Sequence, residues 1–376
     1  MRKSEGGRRI VTDEFYMERA LKLARRGEAW VSPNPMVGAV IVKRGRIIGE
    51  GYHQKFGGNH AEINAINHAS ELTKGATIYI NLEPCTHYGK TPPCIESVIA
   101  AKPRRVVIGT PDANPVVAGK GIETLKRHGI STTVGILEES CRELNERFFK
   151  FMRTGIPFVT LKFAQSIDGR IATASGHSRW ISSGQSLKFA HALRSHHDAV
   201  LVGSGTLSKD DPELTVRLVR GRSPLRIVVD SHLRISLDAR ILKDQNKAGT
   251  IIATTNNADR DKRARLTELG IEVLIVDTGK DRRVDLVRLL MELGKRNISS
   301  VLVEGGAAII TSMLSEQLPD RVVIIIAPKI VGKGLEAIGD LGIKSINESL
   351  KIAYRKVRRL GDDLVIDGRV EKKIPQ

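Results

Sequence analysis

The sequence predicts an α/β protein with two domains. Helical and strand patterns alternate along the first part of the chain, and short Val/Ile runs separated by helical stretches fill the rest. With 376 residues, of which 41% are hydrophobic, the chain is long enough for a packed core in each of two domains. The pattern restarts around "RTGIP" at residues 153–157, so we predict domains of residues 1–152 and 153–376.

The first domain opens with a helix in "DEFYMERALKLARRG", which begins at a capping Asp13 and stops near Gly27. Two apolar runs on either side of Arg44-Gly45 predict a hairpin. A helix from Ala61, the strand "ATIYINL", a helix from about Cys94 and the strand "RRVVIG" follow. The segment "GKGIETLKRHGI" adds a further helix and turn. This order of strands and helices is typical of an α/β sheet.

The second domain contains many short apolar strands. Its predicted strands lie in "FVTLKFA", "DAVLVGSGT", "LRIVVDS", "GTIIATT", "IEVLIVDT", "SSVLVEGG" and "RVVIIIAPKIV". Continuous Val/Ile runs are typical of strands that are buried on both faces. The sequence therefore predicts a largely parallel sheet with helices on its two faces.

Charge and composition limit the classes of partner. The net charge of +18 calls for an anionic partner, but the basic excess is spread over both domains. A nucleic-acid-binding tail would concentrate the basic residues in one block, whereas binding of a phosphate-bearing small molecule does not require such a block. No apolar run is long enough to span a bilayer, and the start "MRKSEGGRRIVTDEF" has no apolar segment behind its basic residues. We expect a soluble cytoplasmic protein.

The segments "HAEINAINHA" and "NLEPCTHYGKTPPC" predict a catalytic zinc site. The chain has only three cysteines, too few for a disulfide framework, so a close pair indicates metal or catalytic use. His60 and Glu62 are two positions apart at the start of a helix, so they point in different directions and cannot share one role. We expect Cys85 and Cys94 each to lie at or next to a helix beginning, and helix amino ends stabilise the thiolates that zinc binds.

Three protein ligands, His60, Cys85 and Cys94, leave a fourth zinc position for water, whose pKa the metal lowers. Glu62 can then take a proton from the water and return it to a leaving amine. This arrangement is the signature of zinc deaminases, although eight residues separate the two cysteines here instead of two. Two alternatives remain: the cysteines are buried small side chains and His60 only caps a helix, or His87 competes as a ligand. We expect Cys141 to be structural.

The second domain lacks a complete dinucleotide-binding fingerprint. The stretch "GSGTLS" at residues 203–208 fails at the third glycine of Gly-x-Gly-x-x-Gly. In "SSVLVEGGAAIITSML", a buried strand ends at Glu304 and a helix begins after Gly305-Gly306. A glycine pair at a helix start lets backbone N–H groups approach a phosphate, although a tight turn alone would look the same.

The sequence resembles the bifunctional deaminase-reductase family of riboflavin biosynthesis over nearly its whole length. The matching stretches are "SPNPMVGAVIV", "GEGYHQKFGGNHAE", "LEPCTHYGKTPPC", "PDANPVVAGKGI", "LKFAQSIDGRIATASGHSRWIS", "DDPELTVR" and "VEGG". The long spacing between the cysteines is typical of that family. The resemblance implies a zinc cytidine-deaminase-like first domain and a dihydrofolate-reductase-like second domain. The first would deaminate a diaminopyrimidinone that carries a ribosylamino 5′-phosphate, and the second would use NADPH to reduce the ribosyl group to a ribityl chain.

The resemblance also assigns site residues. His60, Cys85 and Cys94 match the zinc ligands, and Glu62 matches the proton shuttle. Positions for NADPH match Ala164, Trp180, Thr206, Asp210, Gly306, Ala307, Ala308, Ile309, Ile310, Thr311 and Ser312. Positions for substrate match Asn34 and His53 in the first domain, and Ser178, Arg194, Leu214, Arg217 and Glu304 in the second. The resemblance further suggests a homo-oligomer.

Several of these residues have a chemical rationale in the reductase. Arg194 and Arg217 carry guanidinium forks that bind a 5′-phosphate in a bidentate fashion, although each could be a solvated surface charge. Hydride transfer to the sugar carbon needs a proton for the ring oxygen or an opened imine. Lys162 and Glu304, which we expect at strand ends, are the candidates for that proton transfer. We interpret Asp168 first as a turn former with Gly169 and second as catalytic.

Two other functions compete with this interpretation. One is a tRNA or nucleotide deaminase whose second half binds nucleic acid. No basic cluster with interleaved aromatic residues supports it, and aromatic residues make up only 4% of the chain. The other is a nonenzymatic protein in which one domain is a degenerate binding module.

Overall fold

The computed structural model describes residues 12–88, 92–114, 117–279 and 282–371. Of the predicted cysteine insert, residues 89–91 lie outside the described part, as does the amino-terminal segment 1–11. The chain divides into two compact units after Gly155, three residues beyond the predicted boundary. In the described ranges, no helix is long and apolar enough to cross a membrane.

The first unit is a five-stranded mixed sheet with helices on both faces. The strand order is β2-β1-β3-β4-β5, with β1 antiparallel to β2 and β3, and β4 parallel to β3 and β5. The strands are β1 Gly38–Lys43, β2 Arg46–Tyr52, β3 Thr77–Ile80, β4 Arg105–Ile108 and β5 Ser131–Val134. The helices are α1 Asp13–Ala24, α2 Ala61–Ala69, α3 Cys94–Ala100, α4 Lys120–Arg127, α5 Glu138–Leu144 and α6 Glu146–Thr154.

Alternating side chains along these strands divide the core of the first unit into two layers. Ile41 and Ile78 lie on one face of the sheet with the apolar residues of α2, α3 and α4. Val40 and Tyr79 lie on the other face with α1 and with Cys141 of α5. The sheet therefore presents the amino ends of α2 and α3, which carry His60, Glu62 and Cys94, on one side.

The second unit is built on a nine-stranded sheet of order β11-β10-β9-β8-β12-β6-β13-β16-β15. The strands from β11 to β13 in this order are parallel, whereas β16 and β15 form an antiparallel hairpin at one edge. A separate two-stranded sheet pairs β7 with β14. The largely parallel sheet predicted from the Val/Ile runs is confirmed.

Apolar clusters cover both faces of this sheet. The strands are β6 Phe158–Ser166, β7 Arg170–Thr173, β8 Ala199–Gly203, β9 Leu225–Val229, β10 Thr250–Thr254, β11 Glu272–Ile275, β12 Ser300–Val303, β13 Arg321–Ala327, β14 Gly334–Glu336, β15 Ile352–Leu360 and β16 Asp363–Val370. The helices are α7 Gly184–Ser195, α8 Ser204–Asp210, α9 Arg240–Lys243, α10 Arg260–Glu268, α11 Leu286–Lys295 and α12 Ala307–Ser315. Helices α11 and α12 pack on one face, and α8, α9 and α10 pack on the other.

Three local predictions are wrong. Thr12, not Asp13, takes the N-cap position of α1, because Asp13 is the first helical residue and its carboxylate accepts hydrogen bonds from Tyr79 and Arg105. Cys85 lies in an irregular segment and not at a helix beginning. Lys162 lies in the middle of β6, although its neighbour Leu161 pairs with the last residue of β12. Lys162 is therefore one residue beyond the point where the adjacent strand ends.

Candidate active sites

The first site is a cluster of His60, Cys85 and Cys94, whose ligand atoms lie within 4.8 Å of one another. Cys85 Sγ is 3.4 Å from His60 Nδ1 and 3.4 Å from Cys94 Sγ. Zinc–sulfur and zinc–nitrogen bonds of ordinary length, arranged tetrahedrally, place the ligand atoms about 3.5–3.8 Å apart. The donor set and its spacing therefore fit a zinc ion with three protein ligands.

The backbone holds the two thiols together. The Cys85 N–H donates to Cys94 Sγ over 3.2 Å, and the Cys94 N–H donates to Cys85 Sγ over 3.3 Å. Hydrogen bonds from Cys94 and His60 lower the pKa of Cys85. This environment favours the thiolate, the form in which cysteine binds zinc. Cys94 is the first residue of α3, so the N–H group that it donates to Cys85 Sγ belongs to a helix amino end. Cys85 is therefore stabilised by a helix start, although it does not lie at one itself.

Glu62 lies beside the cluster without belonging to it. It is the second residue of α2 and only 3% exposed, and its Oε1 accepts a hydrogen bond from Cys94 Sγ over 3.2 Å. Its Oε2 is buried and has no hydrogen-bond partner among the described residues. Burial raises the pKa of this carboxyl group. A carboxyl group with one oxygen unpartnered beside the ligands, and with a raised pKa, is suited to carry a proton.

His53 and Asn34 lie next to this cluster. The His53 ring is 5.6 Å, centroid to centroid, from that of His60. Its Nδ1 faces the carbonyl oxygen of Asn59 over 2.9 Å, and since a carbonyl only accepts, Nδ1 carries the proton. Nε2 is then the acceptor for Asn34 Nδ2 over 3.1 Å, which orients the Asn34 amide. Burial lowers the pKa of His53 and so favours this neutral tautomer.

The remaining candidates of the first unit have other positions. His87 is not part of the cluster in the described structure, and its Nδ1 is buried without a partner there. Cys141 is fully buried in the apolar layer beneath α1, and burial raises its pKa to about 12. A thiol that is buried and protonated in this way is suited to packing and not to metal binding.

The second site is a cavity of about 650 Å³ in the second unit. Predicted site residues that line it are Lys162, Ala164, Ser178, Thr206, Asp210, Glu304, Gly306, Ala307, Ala308 and Ile310. The cavity is also lined by residues that the sequence analysis did not select, among them Ile171, Ala172, Lys209, Gly334, Leu335 and Glu336. Several of these belong to β7 and β14, which are four and three residues long and too short to show a strand periodicity.

The glycine pair forms one wall of this cavity. Gly305 and Gly306 have φ angles of 120° and 73°, which side-chain-bearing residues rarely adopt. A Cβ at Gly306 would also lie 3.1 Å from Thr206 Oγ1. Helix α12 begins directly after the pair, at Ala307, so its free backbone N–H groups lie at the cavity. This wall fits a phosphate of a dinucleotide cofactor.

Buried charges meet at the end of β12. Arg194 donates from Nε and Nη2 to the two oxygens of Glu304 over 2.9 and 2.6 Å, and its side chain is 12% and that of Glu304 5% exposed. Burial lowers the pKa of Lys162, and the negative charge of Glu304 opposes this lowering. Although burial alone would raise the pKa of Glu304, the charges of Arg194 and Lys162 hold it below the usual value. A buried lysine beside a carboxylate, with its pKa lowered by burial, is a candidate for proton transfer.

Other predicted residues do not line the cavity; they are Trp180, Arg194, Leu214, Arg217, Ile309, Thr311 and Ser312. The Arg194 fork is directed at Glu304, and its Nη1 donates to the Thr215 carbonyl oxygen over 3.2 Å. Arg217 donates to Glu213 over 2.6 Å. Leu214 is 3% exposed and packs in an apolar cluster, whereas the Trp180 side chain is 70% exposed.

Asp168 does more than form a turn. It accepts hydrogen bonds from the Ser166 hydroxyl and from the backbone N–H groups of Val331 and Gly332. The first of these bonds, and then the two backbone donors, lower its pKa to about 2. The carboxylate therefore joins the β6–β7 turn to the segment that leads into β14, at the rim of the cavity.

Comparisons with known proteins cover both units. Residues 10–110 match the cytidine and deoxycytidylate deaminase zinc-binding region, and residues 157–366 match the RibD C-terminal domain. The riboflavin biosynthesis protein RibD of Aquifex aeolicus is 48% identical over 94% of this chain and 97% of its own length. The Escherichia coli RibD is 40% identical over 95% of this chain and 99% of its own length.

Solved structures agree with these matches. Acinetobacter baumannii RibD superposes with a TM-score of 0.87 at 36% identity, covering 96% of this chain and 99% of that one. A diaminohydroxyphosphoribosylaminopyrimidine deaminase/5-amino-6-(5-phosphoribosylamino)uracil reductase from Thermotoga maritima superposes with a TM-score of 0.83 at 37% identity, covering 95% and 98%. The similarity thus extends over both units and both candidate sites.

Proposed function

Because the chain belongs to the RibD family of riboflavin-biosynthesis enzymes, we propose that its two sites act in turn on one phosphorylated pyrimidine. The protein is a bifunctional enzyme, a zinc-dependent deaminase and an NADPH-dependent reductase with a cytidine-deaminase-like and a dihydrofolate-reductase-like domain. We assign deamination to residues 1–152 and reduction to residues 153–376. The expected substrate is 2,5-diamino-6-ribosylamino-4(3H)-pyrimidinone 5′-phosphate.

In the deaminase site, Glu62 carries the proton. His60, Cys85 and Cys94 would hold a zinc ion, which would act as a Lewis acid and lower the pKa of a water molecule. Glu62 accepts the proton of that water on its unpartnered Oε2 and returns it to the leaving amine. Burial raises the pKa of Glu62, which favours the protonated form that gives the proton back. Asn34, oriented by His53, positions the pyrimidine ring.

In the reductase site, the start of α12 and Thr206 would hold the phosphate of NADPH, and the bound cofactor would supply a hydride for the sugar carbon. Lys162 holds the proton for the ring oxygen or the opened imine. Burial lowers its pKa, which eases release of that proton, and the charge of Glu304 opposes this lowering. Arg217, half-exposed outside the cavity, offers its guanidinium to the substrate 5′-phosphate.

The partner in this proposal is a small phosphorylated molecule, with no nucleic acid and no membrane. The alternative of a nucleic-acid-binding second half is set aside because residues 157–366 match the RibD C-terminal domain. We further propose a homo-oligomer in the cytoplasm, supported by the family resemblance. Light scattering of the purified protein tests the oligomer, and a monomer mass would exclude it.

The observation that carries the proposal is the unpartnered Oε2 of Glu62 beside the His60, Cys85 and Cys94 cluster. We would measure ammonia release and NADPH consumption together, with zinc and the diaminopyrimidinone substrate, for wild type and Glu62→Gln. The substitution keeps the size of the side chain but removes the proton carrier, so ammonia release should fall at least about 100-fold.

The same variant should consume NADPH at the wild-type rate when given the deaminated intermediate. Glu123→Gln, at an exposed position of α4, is the matched control and should retain both activities. Ammonia release that survives Glu62→Gln would exclude Glu62 as the proton carrier. Ammonia release by wild type without NADPH consumption would require a new assignment for the second unit.

A further inference from the structure

Glu83 is a buried carboxylate two residues before the zinc ligand Cys85. It is 3% exposed. Its Oε2 accepts hydrogen bonds from the backbone N–H groups of Asp112 over 3.1 Å and Gly119 over 3.0 Å. Its Oε1 accepts from those of Gly121 over 2.9 Å and Ile122 over 3.1 Å. One carboxylate thus accepts from four backbone donors within residues 112–114 and 117–122, which we name the 112–122 segment; residues 115 and 116 lie outside the described structure and are not part of it.

The 112–122 segment also lies directly against the backbone beside Cys85. A Cβ added at Gly121 would clash with the carbonyl oxygen of Pro84. The segment therefore forms a wall beside Pro84 and the zinc ligand Cys85 that follows it.

We propose that Glu83 is a positioning residue of the deaminase, which holds the 112–122 segment beside Cys85 so that this wall can bind the pyrimidine substrate. The inference rests on the proposed deaminase function. Buried backbone N–H groups need acceptors, and Glu83 supplies them for four residues at once. Without the carboxylate, these N–H groups would hydrogen-bond to water instead, and the segment would shift away from Cys85.

Loss of Glu83 should affect substrate binding more than metal binding. Cys85 and Cys94 hold each other through their own N–H···S hydrogen bonds, which do not involve Glu83. The backbone of Glu83 is fixed separately, because its N–H donates to the carbonyl oxygen of Thr110 over 3.0 Å. The positions of Cys85 and Cys94 should therefore stay the same when only the side chain at position 83 changes.

The test is the steady-state kinetics of ammonia release by Glu83→Gln, together with its zinc content. Glutamine offers one acceptor oxygen and places an NH₂ group against the other two donors, so about half of the contacts are lost. We expect the zinc content of wild type, a KM for the diaminopyrimidinone raised about tenfold and a kcat within about threefold of wild type. NADPH consumption with the deaminated intermediate should be unchanged, and Glu123→Gln should behave as wild type.

Gly121→Ala is the second variant, because the added methyl group would clash with the Pro84 carbonyl oxygen and displace the same segment while the chain keeps its glutamate at position 83. This variant should also raise the KM for the diaminopyrimidinone. It provides the test if Glu83→Gln fails to fold. An unchanged KM in a folded, zinc-containing variant would overturn the inference, as would loss of zinc from Glu83→Gln. If wild type itself releases no ammonia, the proposed deaminase function fails instead, so the two failures are distinguishable.

Discussion

Replacing Glu304 with Gln would leave two buried cations of the reductase site without their counter-charge. Glu304 accepts both hydrogen bonds of the Arg194 fork, and its charge opposes the lowering of the Lys162 pKa by burial. In the variant, the pKa of Lys162 should fall further, and the lysine should lose the proton that it holds for the sugar. NADPH consumption should therefore be lost together with stability of the second unit.

The size of the stability loss follows from the burial of the pair. Removing one partner of a buried ion pair costs about 3–5 kcal/mol, because it leaves an uncompensated charge. The second unit spans residues 156–376, which is 221 residues. At about 2.1 cal/mol/K per residue, its unfolding entropy is about 0.46 kcal/mol/K, so the unfolding midpoint should drop by about 6–11 °C.

Differential scanning calorimetry measures this drop, and ammonia release should continue. Glu292→Gln removes two solvent-accessible ion pairs at the end of α11, with Lys295 and Arg296, and should leave the midpoint almost unchanged. The double variant Arg194→Met/Glu304→Leu removes both charges and should recover most of the lost stability without restoring activity. A midpoint for Glu304→Gln within about 2 °C of wild type would refute the buried-charge reasoning.

Two further predictions concern pH and metal. Burial, and then the charges of Arg194 and Arg217, lower the pKa of His191 to about 4; the unfolded value is about 6.5. The unfolded state therefore binds more protons between these values, so stability present above pH 6.5 should be lost as pH falls toward 4. Urea midpoints across this range should fall less for His191→Gln, and equal slopes would contradict the assignment. Chelation of zinc, or Cys85→Ser, should abolish ammonia release while NADPH consumption with the deaminated intermediate continues; parallel loss of both would show that zinc supports more than the first site.

The order of strands and helices was predictable because it depends on local patterns. The Val/Ile runs predicted the parallel strands, the capping and stop signals predicted α1, and the segments from Ala61 and from "GKGIETLKRHGI" predicted α2 and α4. The edge hairpin β15–β16 was not predicted, since the exposed charged residues of "IAYRKVRRL" hide its strand character. Lys162 was misplaced at a strand end because β6 continues past the end of the strand beside it.

The ligand types of the zinc site, and the nonligating Glu62 beside them, were determined by the sequence alone, because their spacing relative to two helix starts is a local property. Only the tertiary structure decided which distant groups meet. It placed Arg194 on Glu304, 110 residues away, and it placed Glu83 beneath backbone donors 29 to 39 residues further on. The partners in such hydrogen bonds are brought together by tertiary packing. Their proximity leaves no periodic pattern in the sequence from which it could be predicted.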